Sequence, residues 1–298
     1  MIKYRDKGDK MHRLSQMFRP ITATPFVFGD GHIEVEPCEV LKPYIRCFWG
    51  HKVPVRCSVH KEDVVVPDSC MDIIFNINYT DNKIESIFCG VTDKMFKTPE
   101  WESKEEVISV FAIRFYTWSA ILFSDEDMKE VRNGMYEVEH YYSKIKKAIE
   151  PYLFEISTLE GRILLAERVL LDNLHLDRAN PVVNEMIFEG MKHKGNIKIT
   201  ELTDKVHMSS RQLERILKNN VGLSPKQMMA LMRYQYLWND IVRRGYSSVL
   251  DYSNYYGYTD QSHLLRDFKK YHGMLPGEAY EFSRRGLGGS QAILEDKK

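Results

Sequence analysis

Cysteine is sparse in this 298-residue chain and poorly spaced for chemistry. All five (Cys38, Cys47, Cys57, Cys70 and Cys89) lie in the N-terminal third, with no Cys-x-x-Cys pair among them. Structural zinc sites draw their ligands from such close pairs, so no metal site is expected. An odd count without a secretory leader points to reduced thiols, packed as small apolar groups in strands. No apolar run approaches the ~20 residues that a membrane-spanning helix needs. The first twenty residues, MIKYRDKGDKMHRLSQMFRP, carry charge but no apolar centre. They read as a mobile leader over 1–20 rather than a secretory signal, and the cytoplasm is the expected location. Gly-x-Ser-x-Gly is absent too. GLGGS at 286–290 has no strand or helix around it and reads as part of a flexible tail over 284–298. No catalytic residue, no cofactor and no enzyme is expected.

Net charge is also missing, since 42 Lys and Arg balance 42 Asp and Glu. The distribution says more than the total. Residues 181–285 hold 16 Lys and Arg against 11 Asp and Glu, a net +5, so the remainder carries −5. A basic C-terminal part on an acidic N-terminal part fits a nucleic-acid reader joined to a regulatory domain. The length suits two domains of roughly 100–200 residues each. Hydrophobic residues at 43% argue for a packed core and against disorder.

Residues 35–115 are β-rich. YIRCFWGHKVPVRCSV, EDVVVPDSCMDIIFNINY, KIESIFCGVTD and EEVISVFAIRFY are short runs heavy in Val, Ile, Phe and Tyr, punctuated by turn residues. They predict a small antiparallel sandwich or barrel. Beyond Ser119 the pattern turns helical. Over 158–174, Leu159, Ile163, Leu164, Ala166, Leu170, Leu171 and Leu174 form an apolar stripe at helical spacing. That helix either covers the sheet or closes a bundle, or it serves as a dimerisation or interdomain helix. HLDRANP at 175–181 is the best domain boundary, because Pro181 can open a helix but not extend one.

What the chain does have is an internal repeat. T200-ELTDKVHMSSRQLERILKNNVGLSP recurs 51 residues later as D251-YSNYYGYTDQSHLLRDFKKYHGMLP. At that offset Leu213 meets Leu264, Arg215 meets Arg266, Lys218 meets Lys269, Gly222 meets Gly273 and Pro225 meets Pro276. Each copy reads as a short helix, a tight turn and a second amphipathic helix closed by Gly, the outline of a helix-turn-helix. Ser209 with Gln212, and Ser224 with Gln227, have capping-box spacing. The second box starts a long helix ending at Gly245. Its roughly 20 residues would span about 30 Å, close to the ~34 Å repeat of DNA.

In each unit the second helix would enter the major groove. Ser210, Arg211, Glu214 and Arg215 face outward in the first, and Gln261, Ser262, His263 and Arg266 in the second. Arg can bond guanine bidentately, Gln can do so to adenine, and Glu can accept from cytosine. Ser209 and Thr259 at the turns, with Lys218, Lys269 and Lys270 at the far ends, are placed for phosphates. A merely solvated polar face competes at any single position. It competes poorly for both helices together, because the pattern occurs twice.

The stretch resembles the DNA-binding domain of the AraC/XylS family of bacterial transcription regulators. G257-YTDQSHLLRDFKKYHGMLPGEAY carries the signature: Gly257, the Phe268-Lys269 pair, Gly273, Pro276 and Tyr280. The chain departs from it where an aromatic residue is usual three positions before Phe268. Leu265 stands there, or His263 and Leu264 take its role. The resemblance covers Pro181 to Phe282. It implies seven helices, two helix-turn-helix units on a long connector, and base contacts at Arg211, Glu214, Arg215, Gln261, Ser262, His263 and Arg266. YIRCFW, VVPDSCMDIIF and FAIRF resemble the cupin-like sensor domains of such regulators.

The resemblance thus implies an α+β multidomain chain. An N-terminal antiparallel β-barrel or sandwich with helices would occupy 21–175. An all-α domain of seven helices with two helix-turn-helix motifs would occupy 181–283. It further implies double-stranded DNA as partner, a small-molecule effector, RNA polymerase as a candidate contact, and a homodimer through the N-terminal domain or the 158–174 helix. Trp49, Asp68, Met71, Asp72, Tyr79, Trp101 and Arg114 are the candidates to line an effector pocket. Arg114 either meets an effector carboxylate or bridges to Asp68 or Asp72. His32, His51 and His60 are isolated and lack the His-x-His of a metal cupin. Two alternatives stay open: a regulator controlled by abundance or a protein partner, and a DNA-repair enzyme with the same C-terminal module. The latter needs a clustered four-cysteine metal site, against which the cysteine spacing argues.

Overall fold

The computed structural model describes residues 11–23, 32–60, 62–98 and 100–284. Helix α1 covers 11–17. The strands are β1 (His32–Val35), β2 (Ile45–His51), β3 (Val55–His60), β4 (Val64–Val65), β5 (Cys70–Asn78), β6 (Lys83–Cys89), β7 (Phe96–Lys97), β8 (Trp101–Tyr116) and β9 (Met135–Glu137). Helices α2 (Val138–Ile149) and α3 (Leu159–Asp172) follow. Seven more complete the described chain: α4 (Pro181–Lys192), α5 (Ile199–Val206), α6 (Ser210–Val221), α7 (Pro225–Arg244), α8 (Val249–Tyr255), α9 (Gln261–His272) and α10 (Pro276–Arg284). None of the described helices is long and apolar enough to cross a membrane.

The N-terminal sheet is antiparallel, in the order β1-β2-β8-β5-β6-β9, with β3 also on β8 and β4 paired separately with β7. The sixteen residues of β8 make it the central strand. Period-two alternation sorts its faces. Phe111, Ile113 and Phe115 of β8 are buried beside Met71, Ile73 and Phe75 of β5. Phe111 stacks between Phe48 and Phe75, with ring centroids 6.2 and 6.1 Å away. Helices α2 and α3 cover that face. Tyr142 stacks on Phe115 at 5.7 Å, and Tyr141 and Tyr142 meet Phe88 at 5.0 and 4.9 Å.

The α3 stripe divides in two. Leu159, Ile163, Ala166 and Leu170 are buried, whereas Leu164 and Leu171 are 70% and 43% exposed. Arg162 pins this helix to the sheet. It donates to the Ile156 carbonyl (2.7 Å), Ser109 Oγ (2.7 Å), Tyr79 Oη (2.8 Å) and the Leu153 carbonyl (3.2 Å). A buried cation is tolerable when its donors are satisfied in this way.

The expected mobile leader needs correction over its described part, since residues 1–10 lie outside the described ones. Met11, Leu14 and Phe18 are buried, and Phe18 packs edge-on against Trp118 and Tyr236 at 6.2 and 5.7 Å. The strap after α1 lies along α7. Tyr236 Oη donates to the Met17 carbonyl (3.2 Å) and Trp238 Nε1 to the Thr22 carbonyl (2.9 Å). The apolar residues fall at i, i+3 and i+7, the spacing of one helix face. The charges between them hid that face in the sequence.

The helical region follows its local signals. Both capping boxes form. Gly222 and Gly273 close α6 and α9 at φ 82 and 78°, a left-handed conformation that favours glycine. Leu213 and Leu217 of α6, and Leu264 and Phe268 of α9, are buried at equivalent repeat positions. His272 is fully buried against α7. It stacks on Phe268 (5.1 Å), meets Trp238 (4.5 Å), and shares a 2.8 Å hydrogen bond with Tyr234 Oη.

Burial pushes the His272 pKa down to about 3. The neutral ring is therefore the native form, and protons bind the unfolded chain preferentially. Its contribution to stability is complete above the unfolded value near ~6.5 and declines as pH falls toward about 3. Urea unfolding at pH 7 and pH 5 should show this as a loss of about 2 kcal/mol. His272→Phe should flatten that loss. An unchanged pH dependence in the variant would place the titrating group elsewhere.

Candidate nucleic-acid interface and sensor cluster

Two short helices, α6 and α9, present the repeated polar rows. Ser209 caps α6, and Ser210, Arg211, Glu214, Arg215 and Lys218 are exposed along it. In the second unit Thr259, Gln261, Ser262, Arg266, Lys269 and Lys270 are exposed, while His263 is half-buried. The cap of α9 is Asp260, whose carboxylate accepts from the His263 amide at 2.7 Å. Asp before an amphipathic run is a standard cap, so this signal is local to the sequence.

Several of these side chains are already engaged. Glu214 Oε1 and Lys218 Nζ pair at 2.9 Å along one helix face. Arg266 Nε donates to the Ser262 carbonyl at 3.3 Å. His263 Nε2 lies 3.8 Å from Asp267, and its ring stands edge-on to Tyr258 at 5.2 Å. Arg233 of α7 completes that group, 3.3 Å from Asp267 and 4.2 Å above the Tyr258 ring. Arg233 and Asp267 thus fix how α9 sits on the connector. Lys270 Nζ lies 3.9 Å from Asp93, across the boundary between the two regions.

The seven residues expected to line an effector pocket are not all brought together. Trp49, Asp68, Asp72 and Arg114 form one cluster. Arg114 Nε meets Asp72 Oδ1 at 2.9 Å, and its Nη1 lies 3.5 Å from Asp68 and 3.6 Å from Glu34. Trp49 Nε1 donates to Asp72 Oδ1 at 2.7 Å, and its ring lies 5.6 Å from the guanidinium. Burial works against the Arg114 charge, but Asp72 and Asp68 outweigh it and raise its pKa. Burial raises the Asp68 carboxyl, with Arg114 opposing. Met71 points to the opposite, core face of β5. Tyr79 serves Arg162 and packs on Phe154 at 5.5 Å. Trp101 begins β8, and its side chain lies outside the described residues.

Among the described residues no group of three or more His, Cys, Asp or Glu could hold a metal ion. All five cysteines are free thiols. Burial pushes Cys47 and Cys89 up to about 12, away from thiolate reactivity. A polar groove of about 500 Å³ runs between Lys129, Glu130 and Arg132 of the N-terminal region and Glu214, Lys218, Gly222, Ser224 and Gln227 of the helical one.

Residues 202–281 match the family model described as a helix-turn-helix domain. Residues 33–137 match a domain of unknown function, DUF6597. No curated protein matches the chain. Among solved structures, the xylose-binding transcription activator XylR is similar at 19% identity and a TM-score of 0.31. That likeness covers 41% of this chain and 38% of XylR, well under two thirds of its length. ToxT from Vibrio cholerae O395 is similar at 13% identity over 80% of this chain and 98% of that one, with a TM-score of 0.39.

The cluster makes a stability prediction. Arg114→Ala would leave Asp68 and Asp72 without their cation in a poorly solvated site, at a cost of about 3–5 kcal/mol. Chemical denaturation should register that loss, with Arg114→Lys intermediate. A variant as stable as the parent would mean the cluster is hydrated and contributes nothing to the fold.

Proposed function

We propose that this chain, whose residues 202–281 match a helix-turn-helix domain, is a sequence-specific, DNA-binding transcription regulator of the AraC type. The observation that carries this is the repeated, exposed polar face. Ser210, Arg211 and Arg215 on α6 recur in position as Gln261, Ser262 and Arg266 on α9, while Leu265 stands at the position of Glu214. Both helices are anchored by buried leucine and phenylalanine on a common connector, α7. Its 20 residues span about 30 Å. Each chain would place α6 and α9 in adjacent major grooves on one face of the duplex. The base edges would fall to Arg211, Glu214, Arg215, Gln261, Ser262, His263 and Arg266. Ser209, Thr259, Lys218, Lys269 and Lys270 would take phosphates. Only Arg266 is charged among the readers of the second unit, so that unit would tolerate more base variation.

We propose a small-molecule effector for the N-terminal region, with the Arg114 cluster as its candidate polar anchor. A second reading has its own support. Arg114 is already met by three carboxylates, and Met71 and Tyr79 face away from it. That arrangement favours control by abundance or by a protein partner. Thermal-shift screening of metabolites on the intact protein separates the two. A saturable rise that is lost in Asp68→Asn supports the effector, and no rise across carboxylates, amines and sugars supports the partner.

The DNA contacts are tested by selecting binding sites from random duplex with the parent, Arg211→Ala and Arg266→Ala. Each variant should lose about 1–3 kcal/mol and relax its preference at one base position. If both select the same sequences with the parent's affinity, α6 and α9 do not read bases.

A further inference from the structure

We propose that Val91–Met95, the loop after β6, is a clamp across both recognition helices, and that duplex DNA competes with Asp93 for Lys270. This rests on the DNA-binding reading above.

The clamp lands on the same position in each repeat copy. A Cβ at Gly222, which closes α6, would come within 2.8 Å of Val131 Cγ2, 2.9 Å of the Met128 carbonyl and 3.3 Å of Val91 Cγ1. A Cβ at Gly273, which closes α9, would come within 2.8 Å of Met95 Cε. The two glycines are 51 residues apart and equivalent in the repeat. The Met128 amide also donates to the Asn219 carbonyl of α6 at 2.8 Å. One face of the N-terminal region therefore touches the far ends of both readers.

Asp93 sits between these two landings and is only 7% exposed. Asn133 holds it from the N-terminal side, with Nδ2 donating to Oδ1 at 2.7 Å and Oδ1 accepting from the Asp93 amide at 3.0 Å. Its Oδ2 accepts from Gln227 Nε2 at 3.2 Å and lies 3.7 Å from Arg132 and 3.9 Å from Lys270. Gln227 belongs to the capping box that starts α7, so one carboxylate touches the first unit's connector and the second unit's reader. A lysine neutralised by a fixed carboxylate must release it before it can pair with a phosphate. Affinity for DNA is reduced accordingly, and any event that shifts the 91–95 loop would raise it.

A mutant cycle tests this on the intact protein, with a duplex selected by the parent at ~0.1 M salt. Asp93→Asn keeps the side chain's shape and removes its charge. It should tighten binding about two- to fivefold, the range of a partly exposed ion pair. In the Lys270→Gln background the same change should give no gain. Asp93→Ser provides the same cycle should the amide not be accommodated beside Asn133. An equal gain in both backgrounds would overturn competition for Lys270, leaving only general repulsion between Asp93 and DNA. No gain in either would overturn the clamp. Failure of the parent to bind any duplex in a salt-dependent way would instead overturn the DNA-binding reading.

Discussion

The structure depends on how α7 is held. This helix joins the two units, and its polar side chains bind backbone outside the helical region. Gln235 is the centre of that contact. Its Oε1 accepts from the Ile21 amide at 2.9 Å, and its Nε2 donates to the Ile21 carbonyl at 3.2 Å and the Pro67 carbonyl at 2.7 Å. A buried amide with all these partners is specific as well as stabilising, because an unpaired one would be penalised. Pro67 precedes Asp68, which meets Arg114. The residue that the connector holds and the first carboxylate of the charged cluster are thus adjacent in the chain. Whatever displaces the Asp68 loop must either carry Gln235 with it or break its hydrogen bond.

Helices α6 and α9 are each fixed at their far ends by the N-terminal region and along their length by α7. Arg233 sits between Asp267 and Tyr258, and Tyr234 binds His272. Their relative orientation is therefore set by the N-terminal region and α7 together. Coupling between a sensor and a reader needs a contiguous element with two arrangements. The α7 and 91–95 contacts are where such an element can exist in this fold.

Much of the helical region was legible because its signals are local. Capping boxes, closing glycines and period-3.6 leucines act within a dozen residues, and the repeat displays each twice. The sheet was legible as strands, since β5 and β8 alternate strongly, but β8's pairing with three partners involves contacts far apart in sequence. The α1 strap is not legible in the sequence because Met11, Leu14 and Phe18 gain their meaning from distant packing, Phe18 against Trp118 and Tyr236. The expected pocket separated for a related reason. Met71 and Asp72 are adjacent in sequence, and adjacent strand residues point to opposite faces. Asp93, Asn133 and Lys270 carry no common motif. Only the packing of two regions brings them together.

The central claim is that one chain sets two recognition helices on one face of the duplex, about one turn apart. Hydroxyl-radical footprinting of a selected duplex tests it directly. The expected result is two protected patches whose centres lie about 10 bp apart on the same face. Arg266→Ala should weaken one patch and leave the other. A single protected patch, unaffected by that substitution, would contradict the claim.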